Sequence, residues 1–150
     1  MATATSAEKS ASTTRRRRRV RRRVPLVEYL RLGARPYLRA HQCTSCGARF
    51  FDRRNACANC GGREFRNARV RNRGRVKAFT IVHRAAPGIL VPYVSAIVET
   101  DDGMSVRSNI VNCEPSPERI RLGMKVRLTT YPIGVDDEGT EAIAFGYEPV

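Results

Sequence analysis

Two short cysteine pairs constrain this chain more than any other feature of its sequence. Cys43 and Cys46 form one C-x-x-C pair, and Cys57 and Cys60 form a second pair after ten intervening residues. Each pair places two thiolates on one side of a tight backbone turn. Two such turns facing each other make a tetrahedral sulfur cage with metal–sulfur distances of about 2.3 Å. The spacing predicts one structural Zn²⁺ per chain, held by these four cysteines.

The residues around the cysteine pairs support a small metal ribbon. Gly47 and Gly61 each follow the second cysteine of a pair, where glycine permits the positive φ that turns backbone amides toward sulfur. The ten-residue spacer is long enough for a hairpin whose first strand is Arg49–Asp52. Because all four ligands are thiolates, no coordination position is left open for water or substrate, and a closed site of this kind is structural.

Three other chemistries use paired cysteines. Disulfides are not expected because no secretory segment is present. A redox C-x-x-C would open a helix within a βαβ unit, whereas these pairs lie among turn and strand signals. An iron site of the rubredoxin type has the same ligands, and the spacing leaves zinc and iron both open.

The positive charge is concentrated at the N-terminus. The chain has 28 basic and 14 acidic residues, a net charge of +14, but eight of the arginines lie between residues 15 and 23. Residues 24–150 hold 19 basic and 13 acidic residues, so that part carries only +6. We predict that residues 1–24 form a disordered arginine-rich tail, because it repels itself and has little to bury. The tail is either a dispensable extension or an electrostatic arm for an acidic partner or nucleic acid.

No part of the sequence resembles a membrane span. The longest apolar region, residues 89–98, is interrupted by Pro92 and is shorter than the roughly 18 to 20 residues that a bilayer requires. We expect a cytoplasmic protein without a membrane segment.

Residues 25–68 are predicted to form a short helix followed by the ribbon. Pro25 suits the first turn of a helix, apolar residues continue to Leu32, and Gly33 can end it. Residues 37–41 read as a strand that enters the first cysteine pair. Tyr37, Phe50 and Phe51 are candidates for a partner interface. Strand geometry sends consecutive side chains such as the two phenylalanines to opposite faces, so one of them would be exposed unless it packs on the next domain or on a partner.

Residues 69–150 carry period-two patterns typical of β-strands. Five strands are predicted, at residues 75–84, 93–100, 104–111, 125–131 and 142–147, with one helical turn near Ser116–Ile120 between the third and fourth. That order is the order of an OB-fold, a partly open Greek-key barrel. The predicted fold is therefore mainly β, with a short N-terminal helix and a zinc ribbon followed by a five-stranded OB-fold barrel.

Alternate positions near the ribbon–barrel junction are arginine. Such residues could form a basic stripe suited to a phosphate-bearing ligand, although solvated arginines on an edge strand are the more common explanation. The series comprises Arg63, Arg66, Arg69, Arg71, Arg73 and Arg75.

The order of these segments resembles the DUF35 family, from about Pro25 to Val150. The matching features are a short helix ending near Leu32-Gly33, the two cysteine pairs, Gly74-Arg-Val76 before Phe79-Thr80, Pro92-Tyr93, Asp102-Gly103, Gly123-Met-Lys-Val126 and the terminal Phe145-x-x-x-Pro149. The arginine-rich tail has no counterpart in that pattern. The resemblance implies a rubredoxin-like zinc ribbon joined to an OB-fold.

The resemblance also implies a function. Members of the family look like accessory subunits of thiolase-type acyl-CoA enzymes, with the OB domain helping to hold coenzyme A. On this basis the chain is expected to be a scaffold without chemistry of its own. It would form a hetero-oligomer with a thiolase-like or condensing enzyme and bind acyl-CoA jointly with it. Arg84, Pro92 and Tyr93 are the candidate coenzyme A and acyl contacts.

Two other functions remain open at this point. A single-stranded nucleic-acid binder would use the basic surface and stack bases on the aromatic residues of the barrel, although we do not expect nucleic acid as the partner. An enzyme using the fifth cysteine, Cys113, is the weaker alternative, because neither histidine is close in sequence and no activating group can be named.

Overall fold

The computed structural model describes residues 22–150, which fold into ten β-strands. No helix occurs in this range, and therefore none that is long and apolar enough to cross a membrane. The strands are β1 (Arg22–Pro25), β2 (Leu30–Arg31), β3 (Tyr37–Cys43), β4 (Arg49–Phe50), β5 (Phe65–Arg69), β6 (Arg73–Val82), β7 (Tyr93–Thr100), β8 (Ser105–Ile110), β9 (Lys125–Val135) and β10 (Thr140–Pro149).

Strands β6 to β10 close into a five-stranded barrel. Their order around the barrel is β10-β8-β7-β6-β9, and β9 pairs with β10 to complete the ring. All of the pairings are antiparallel except β10 with β8, which is parallel. This closed Greek-key arrangement confirms the predicted OB-fold, and all five predicted strands are present within a few residues of their expected ends.

Closure requires the barrel strands to bend, and small residues allow it. The β6–β7 pairing contains an irregularity between Val76 and Ala78. Gly74 lies where β6 passes close to β7, and a Cβ there would overlap the carbonyl oxygen of Glu99 and come 2.9 Å from the Cα of Thr100. The fold requires glycine at this position, because the backbones of β6 and β7 leave no room for a side chain.

The ribbon is built around β3. Strand β3 pairs antiparallel with β2 through Leu38, and with β4 and β5 through its C-terminal half, which ends at Cys43. The buried residues of β3 are Leu38, Ala40 and Cys43. Leu38 and Ala40 pack into the main core, whereas Cys43 belongs to the first cysteine pair. A single strand therefore connects the hydrophobic core to the cysteine pairs.

One continuous core joins the ribbon to the barrel. Leu30, Leu38 and Val70 are fully buried in the same cluster as barrel residues such as Val98 and Ile143. Because apolar burial stabilises by roughly 25 cal/mol per Å², this shared core fixes the base of the ribbon against the barrel.

An acidic side chain adds a polar connection between the two parts. Asp102, in the β7–β8 turn, accepts hydrogen bonds from the Arg49 side chain (2.5 Å), from the backbone N–H of Arg71 (3.2 Å) and from the Thr100 hydroxyl (2.6 Å). Partial burial raises the pKa of Asp102, but these hydrogen bonds outweigh it and hold the pKa below its usual value. In the sequence, Asp102 stood out only as part of the Asp102-Gly103 pair that matches the family resemblance.

The predicted helix at residues 25–32 is wrong. Residues 22–25 form β1, which pairs in parallel with β10, and the N–H of Leu26 donates to the carbonyl of Ile143 at 2.8 Å. Leu30 then pairs with Leu38 as part of β2. A two-turn helix is costly to nucleate, whereas here the backbone groups find partners in strands that already exist.

The N-terminal tail prediction changes at its end. Residues 22–24, which the sequence assigned to a disordered tail, belong to β1, and the Arg23 side chain forms a 3.1 Å ion pair with Glu141. The rest of the predicted tail, residues 1–21, lies outside the described residues.

The single helical turn predicted near Ser116–Ile120 is present as one hydrogen-bonded turn, in which the N–H of Ile120 donates to the carbonyl of Ser116 at 3.1 Å.

We predict that Gly74→Ala will lower the free energy of unfolding by about 2–3 kcal/mol, because the new methyl group must displace the backbone of β7. Gly134→Ala is the matched control, since a Cβ at Gly134 meets nothing within 4 Å and its φ is not positive. Urea unfolding of both variants measures the effect. Equal stability of the two variants would contradict the close approach at Gly74.

Candidate metal centre

The two cysteine pairs fold into turns with the same hydrogen bonds. The N–H of Cys43 donates to the carbonyl of Ala48 (2.8 Å), and the N–H of Gly47 donates to the carbonyl of Cys43 (3.0 Å). The second pair repeats this pattern fourteen residues later, where Cys57 N–H donates to the Gly62 carbonyl and Gly61 N–H to the Cys57 carbonyl. The positive φ values predicted for the two glycines are present, at 77° for Gly47 and 75° for Gly61.

The four sulfur atoms have the spacing of a tetrahedral metal site. The Sγ atoms of Cys43 and Cys60 are 3.7 Å apart, those of Cys46 and Cys57 are 3.6 Å apart, and all four lie within 4.8 Å of one another. Four sulfurs at about 2.3 Å from a central ion would be about 3.8 Å from each other. The cluster therefore fits a tetrathiolate metal ion without rearrangement.

Local hydrogen bonds favour the thiolate forms that a metal requires. The side chain of Asn59 and the backbone N–H of Ala48 lower the pKa of Cys46 to about 6, and the backbone N–H of Cys46 lowers the pKa of Cys43. For Cys60 the N–H of Gly62 lowers the pKa, but the Cys46 sulfur and burial raise it by more, to about 12. Without a cation the cluster therefore keeps a proton, which a metal would replace.

Gly62 leaves the space that the cluster occupies. A Cβ on this residue would lie 2.9 Å from the hydroxyl oxygen of Ser45 and 3.3 Å from the sulfurs of both Cys43 and Cys60. Any side chain there would press on the metal ligands. The second glycine of the Cys-Gly-Gly sequence thus has a packing role that the sequence reasoning did not identify.

The site has no open coordination position. Within residues 22–150, these cysteines are the group of three or more His, Cys, Asp or Glu side chains that could hold a metal ion. All four ligands come from the protein, so the arrangement holds an ion and rigidifies the ribbon, and it offers no position for a bound substrate. His41, two residues before Cys43, lines a separate cleft beside the cluster.

The candidate coenzyme A residues lie together at one end of the barrel. Val82 pairs with Tyr93 at the ends of β6 and β7, so Arg84 and Pro92 both belong to the loop that joins these strands, residues 83–92. Arg84 and Pro92 are exposed and Tyr93 is half-buried. Arg84 and Pro92 thus belong to one loop, and Tyr93 is the first residue of the strand that follows it.

The same loop presents an apolar tip that the sequence reasoning passed over. Ile89, Leu90 and Val91 are 53 %, 90 % and 42 % exposed. The sequence signal for this tip was the run of three aliphatic residues between Gly88 and Pro92. These residues were considered only as part of a possible membrane span, which the sequence excluded. Consecutive exposed aliphatic side chains mark an interaction site more often than scattered ones do.

The three candidate interface residues of the ribbon are all half-buried and are only partly free to contact a partner. The guanidinium of Arg69 lies 4.5 Å from the ring centre of Tyr37, and that of Arg54 lies 4.5 Å from the ring of Phe50. Phe51 stacks on Tyr29, with 4.6 Å between ring centres, and packs against the main core.

The predicted arginine stripe is divided among different contacts. The Arg66 side chain donates a hydrogen bond to the side-chain oxygen of Gln42, and the Arg75 side chain donates one to the Gly123 carbonyl. The Arg69 guanidinium lies over the Tyr37 ring. Arg63 alone of the series lines the cleft beside His41. Most of the series shares odd-numbered positions, but these positions do not form a common face, because the chain changes from β5 to β6 within the series.

The fold and the metal centre together define a zinc-ribbon protein with an appended OB-fold barrel. A family model described as "ChsH2, rubredoxin-like zinc ribbon domain" matches residues 31–66, and one described as "ChsH2, C-terminal OB-fold domain" matches residues 68–130. The two matches are almost continuous and cover about two thirds of the chain. The chain belongs to the DUF35 family, as the sequence resemblance indicated.

Similar proteins carry related descriptions. A DUF35 domain-containing scaffold protein of Methanocaldococcus jannaschii is 30 % identical over 58 % of this chain and 62 % of its own length. Benzoylsuccinyl-CoA thiolase subunit BbsA of Geobacter metallireducens is 26 % identical over 83 % of both chains. A solved structure, the Ltp2-ChsH2(DUF35) aldolase, has a TM-score of 0.59 at 25 % identity and covers 75 % of this chain and 84 % of its own. The chain spans about three fifths of the M. jannaschii relative.

We predict that Cys57→Ser will reduce the bound metal well below one ion per chain and will destabilise the ribbon, because an alcohol oxygen is a poor replacement for a thiolate ligand. Cys113→Ser is the control, since Cys113 lies outside the cluster and should leave the metal content unchanged. Elemental analysis and circular dichroism measure the two effects. Full metal content in the Cys57 variant would contradict the four-cysteine assignment.

Proposed function

We propose that this chain is an accessory subunit of a thiolase-like acyl-CoA enzyme, and that the partner carries out the acyl transfer, thiolysis or retro-aldol cleavage. The observation that carries the proposal is the exposed loop 83–92, which contains both an apolar tip, residues 89–91, and a cationic side chain, Arg84, at one end of the barrel. Family membership supports the proposal, because relatives are described as scaffold proteins, as a thiolase subunit and as part of an aldolase complex.

The loop tip would provide the contact with the partner. Leu90 has almost no contact with its own chain, and Ile89 and Val91 flank it, so a complementary apolar pocket would remove this surface from water. Burying one such aliphatic side chain contributes roughly 1.5–3 kcal/mol. Tyr37, Phe50 and Phe51 would provide a second contact with the partner, on the ribbon.

The base of the same loop would contact the coenzyme A ester. The Arg84 guanidinium can form charge-assisted hydrogen bonds with a phosphate, and Pro92 and Tyr93 offer apolar surface for the pantetheine arm or the acyl chain. Because Arg84 and Pro92 belong to the same loop as the partner-binding tip and Tyr93 follows it, the acyl-CoA channel would be completed only when the two subunits associate.

We propose zinc as the metal of the ribbon. A closed tetrathiolate site needs no redox activity for a structural role, and Zn²⁺ adopts tetrahedral geometry without preference from d-electrons. Elemental analysis of the purified protein distinguishes zinc from iron, and a ferric tetrathiolate would also be visible by its colour, whereas zinc is colourless. Stoichiometric iron would overturn the zinc assignment and leave the four ligands unchanged.

A nucleic-acid role receives little support from the barrel. Of the five aromatic residues available for stacking, Tyr147 is fully buried, and Phe79 and Phe145 pack against the core. Tyr93 and Tyr131 are half-buried. Base stacking requires exposed ring faces along a groove, and none of these five side chains is fully exposed.

We predict that Leu90→Arg will weaken association with the partner enzyme at least tenfold, because a charged side chain cannot enter an apolar pocket without a counter-charge. Leu122→Arg is the matched control, since Leu122 is 66 % exposed in a different loop. Affinity purification of the tagged wild-type chain from its source, with identification of a thiolase-like enzyme in the complex, provides the partner. Binding of both variants to that enzyme is then measured by interferometry.

The partner's own behaviour tests the functional proposal. Its activity and coenzyme A affinity should fall when this chain is withheld and return when the chain is added. Full activity of the partner alone would contradict an accessory role. Equal binding of the partner by the Leu90→Arg variant and the wild-type chain would contradict only the proposal that the loop tip contacts the partner.

A further inference from the structure

The ribbon carries a cleft with a strongly positive lining. The cleft has a volume of about 300 Å³ and is lined by His41, Arg53, Arg54, Asn55, Arg63 and Phe65. Three guanidinium groups and one amide are available as hydrogen-bond donors, and no acidic residue contributes to the lining. The cleft belongs to the ribbon and is separate from the loop at residues 83–92.

The arginines of the cleft are not neutralised. Among the ion pairs found within residues 22–150, none includes Arg53, Arg54 or Arg63. Arg49, by contrast, forms an ion pair with Asp102 on the barrel. Within residues 22–150, the guanidinium groups of the cleft therefore form no ion pair with a carboxylate.

The charge balance of the two parts of the chain supports the same interpretation. Residues 25–68 contain eight arginines and three acidic residues, whereas residues 69–150 contain eleven basic and ten acidic residues. Nearly all of the net charge of the folded part therefore lies on the ribbon. A concave surface with one sign of charge concentrates oppositely charged ligands.

The metal centre and the strands hold the cleft in shape. Residues 53–55 lie just before the second cysteine pair, separated from it by Ala56, and Arg63 lies after it, so the turn that carries this pair sets the distance between these two walls. His41 and Phe65 come from the paired strands β3 and β5. Arg54 is further restrained by its position over the Phe50 ring. Pre-organised guanidinium groups lose less conformational freedom when they bind a ligand.

We propose that this cleft binds the phosphate end of a small nucleotide-type ligand. Guanidinium groups match phosphate oxygens in bidentate hydrogen bonds, three of them balance the charge of a diphosphate, and the volume suits a compact ligand. The rings of His41 and Phe65 provide flat surfaces for a neighbouring base. This site is additional to the partner and coenzyme A contacts proposed for the loop and does not depend on them.

Calorimetric titration of the metal-loaded full-length protein with pyrophosphate and with ADP tests the proposal. Both probes should bind the wild-type chain, and the Arg53→Ala/Arg63→Ala double variant should bind them at least tenfold more weakly. Arg119→Ala/Arg121→Ala is the matched control, because it removes the same charge from exposed positions on the barrel and should bind as the wild type does. Equal metal content in all three proteins verifies that the ribbon is intact.

The geometry of the arginines gives a second readout. Arg53→Lys/Arg63→Lys keeps the charge but removes the bidentate donors, so its affinity for pyrophosphate should fall between those of the wild type and the alanine variant. Equal affinities of the alanine variant and the control would overturn the proposal. Binding of a single-stranded oligonucleotide by the wild type without binding of pyrophosphate or ADP would also overturn it, since the surface would then recognise a polymer backbone.

Discussion

Four sulfur atoms within 4.8 Å of one another are the constraint on which the tip of the ribbon depends. Such a cluster of thiolates repels itself unless a cation lies between them, and the raised pKa of Cys60 shows that one sulfur otherwise keeps its proton. The tip contains few apolar residues, so metal–sulfur bonds provide the stabilisation that a hydrophobic core provides elsewhere. The equivalent hydrogen bonds of the two turns place the four ligands around one point.

The ribbon and the barrel are stabilised by different interactions but are not independent. Strand β3 carries Leu38 and Ala40 in the shared core and ends at Cys43 in the metal cluster. The Asp102 carboxylate connects the Arg49 side chain on the ribbon with the β7–β8 turn. Loss of the metal would therefore disturb the ribbon tip first, and its effect on the barrel would pass through this strand and this ion pair.

The parts of the structure determined by local chemistry could be predicted from the sequence. The cysteine spacing and the glycine after each pair gave the metal centre, and alternating apolar residues gave the five barrel strands. The helix predicted at residues 25–32 failed because pairing with β10 and β3 outweighed a weak local preference. The cleft around Arg53 and Arg63 could not be predicted, since its walls come from three separate segments that only the folded ribbon brings together. The contact of Asp102 with Arg49, 53 residues away, could not be predicted either, because only the fold brings these two side chains together.

The two proposed binding surfaces differ in position and in chemistry. The apolar loop 83–92 lies at the beginning of β7, whereas the Asp102 turn that contacts the ribbon lies at the end of the same strand. If the metal is a structural element of the ribbon, its removal by a chelator should change hydrogen exchange in the ribbon and leave the barrel unchanged. The amides of Cys43, Gly47, Cys57 and Gly61 should lose protection, and the barrel amide of Leu128 should keep it. Unchanged protection at the four ribbon amides after complete loss of the metal would show that the metal has no structural role there.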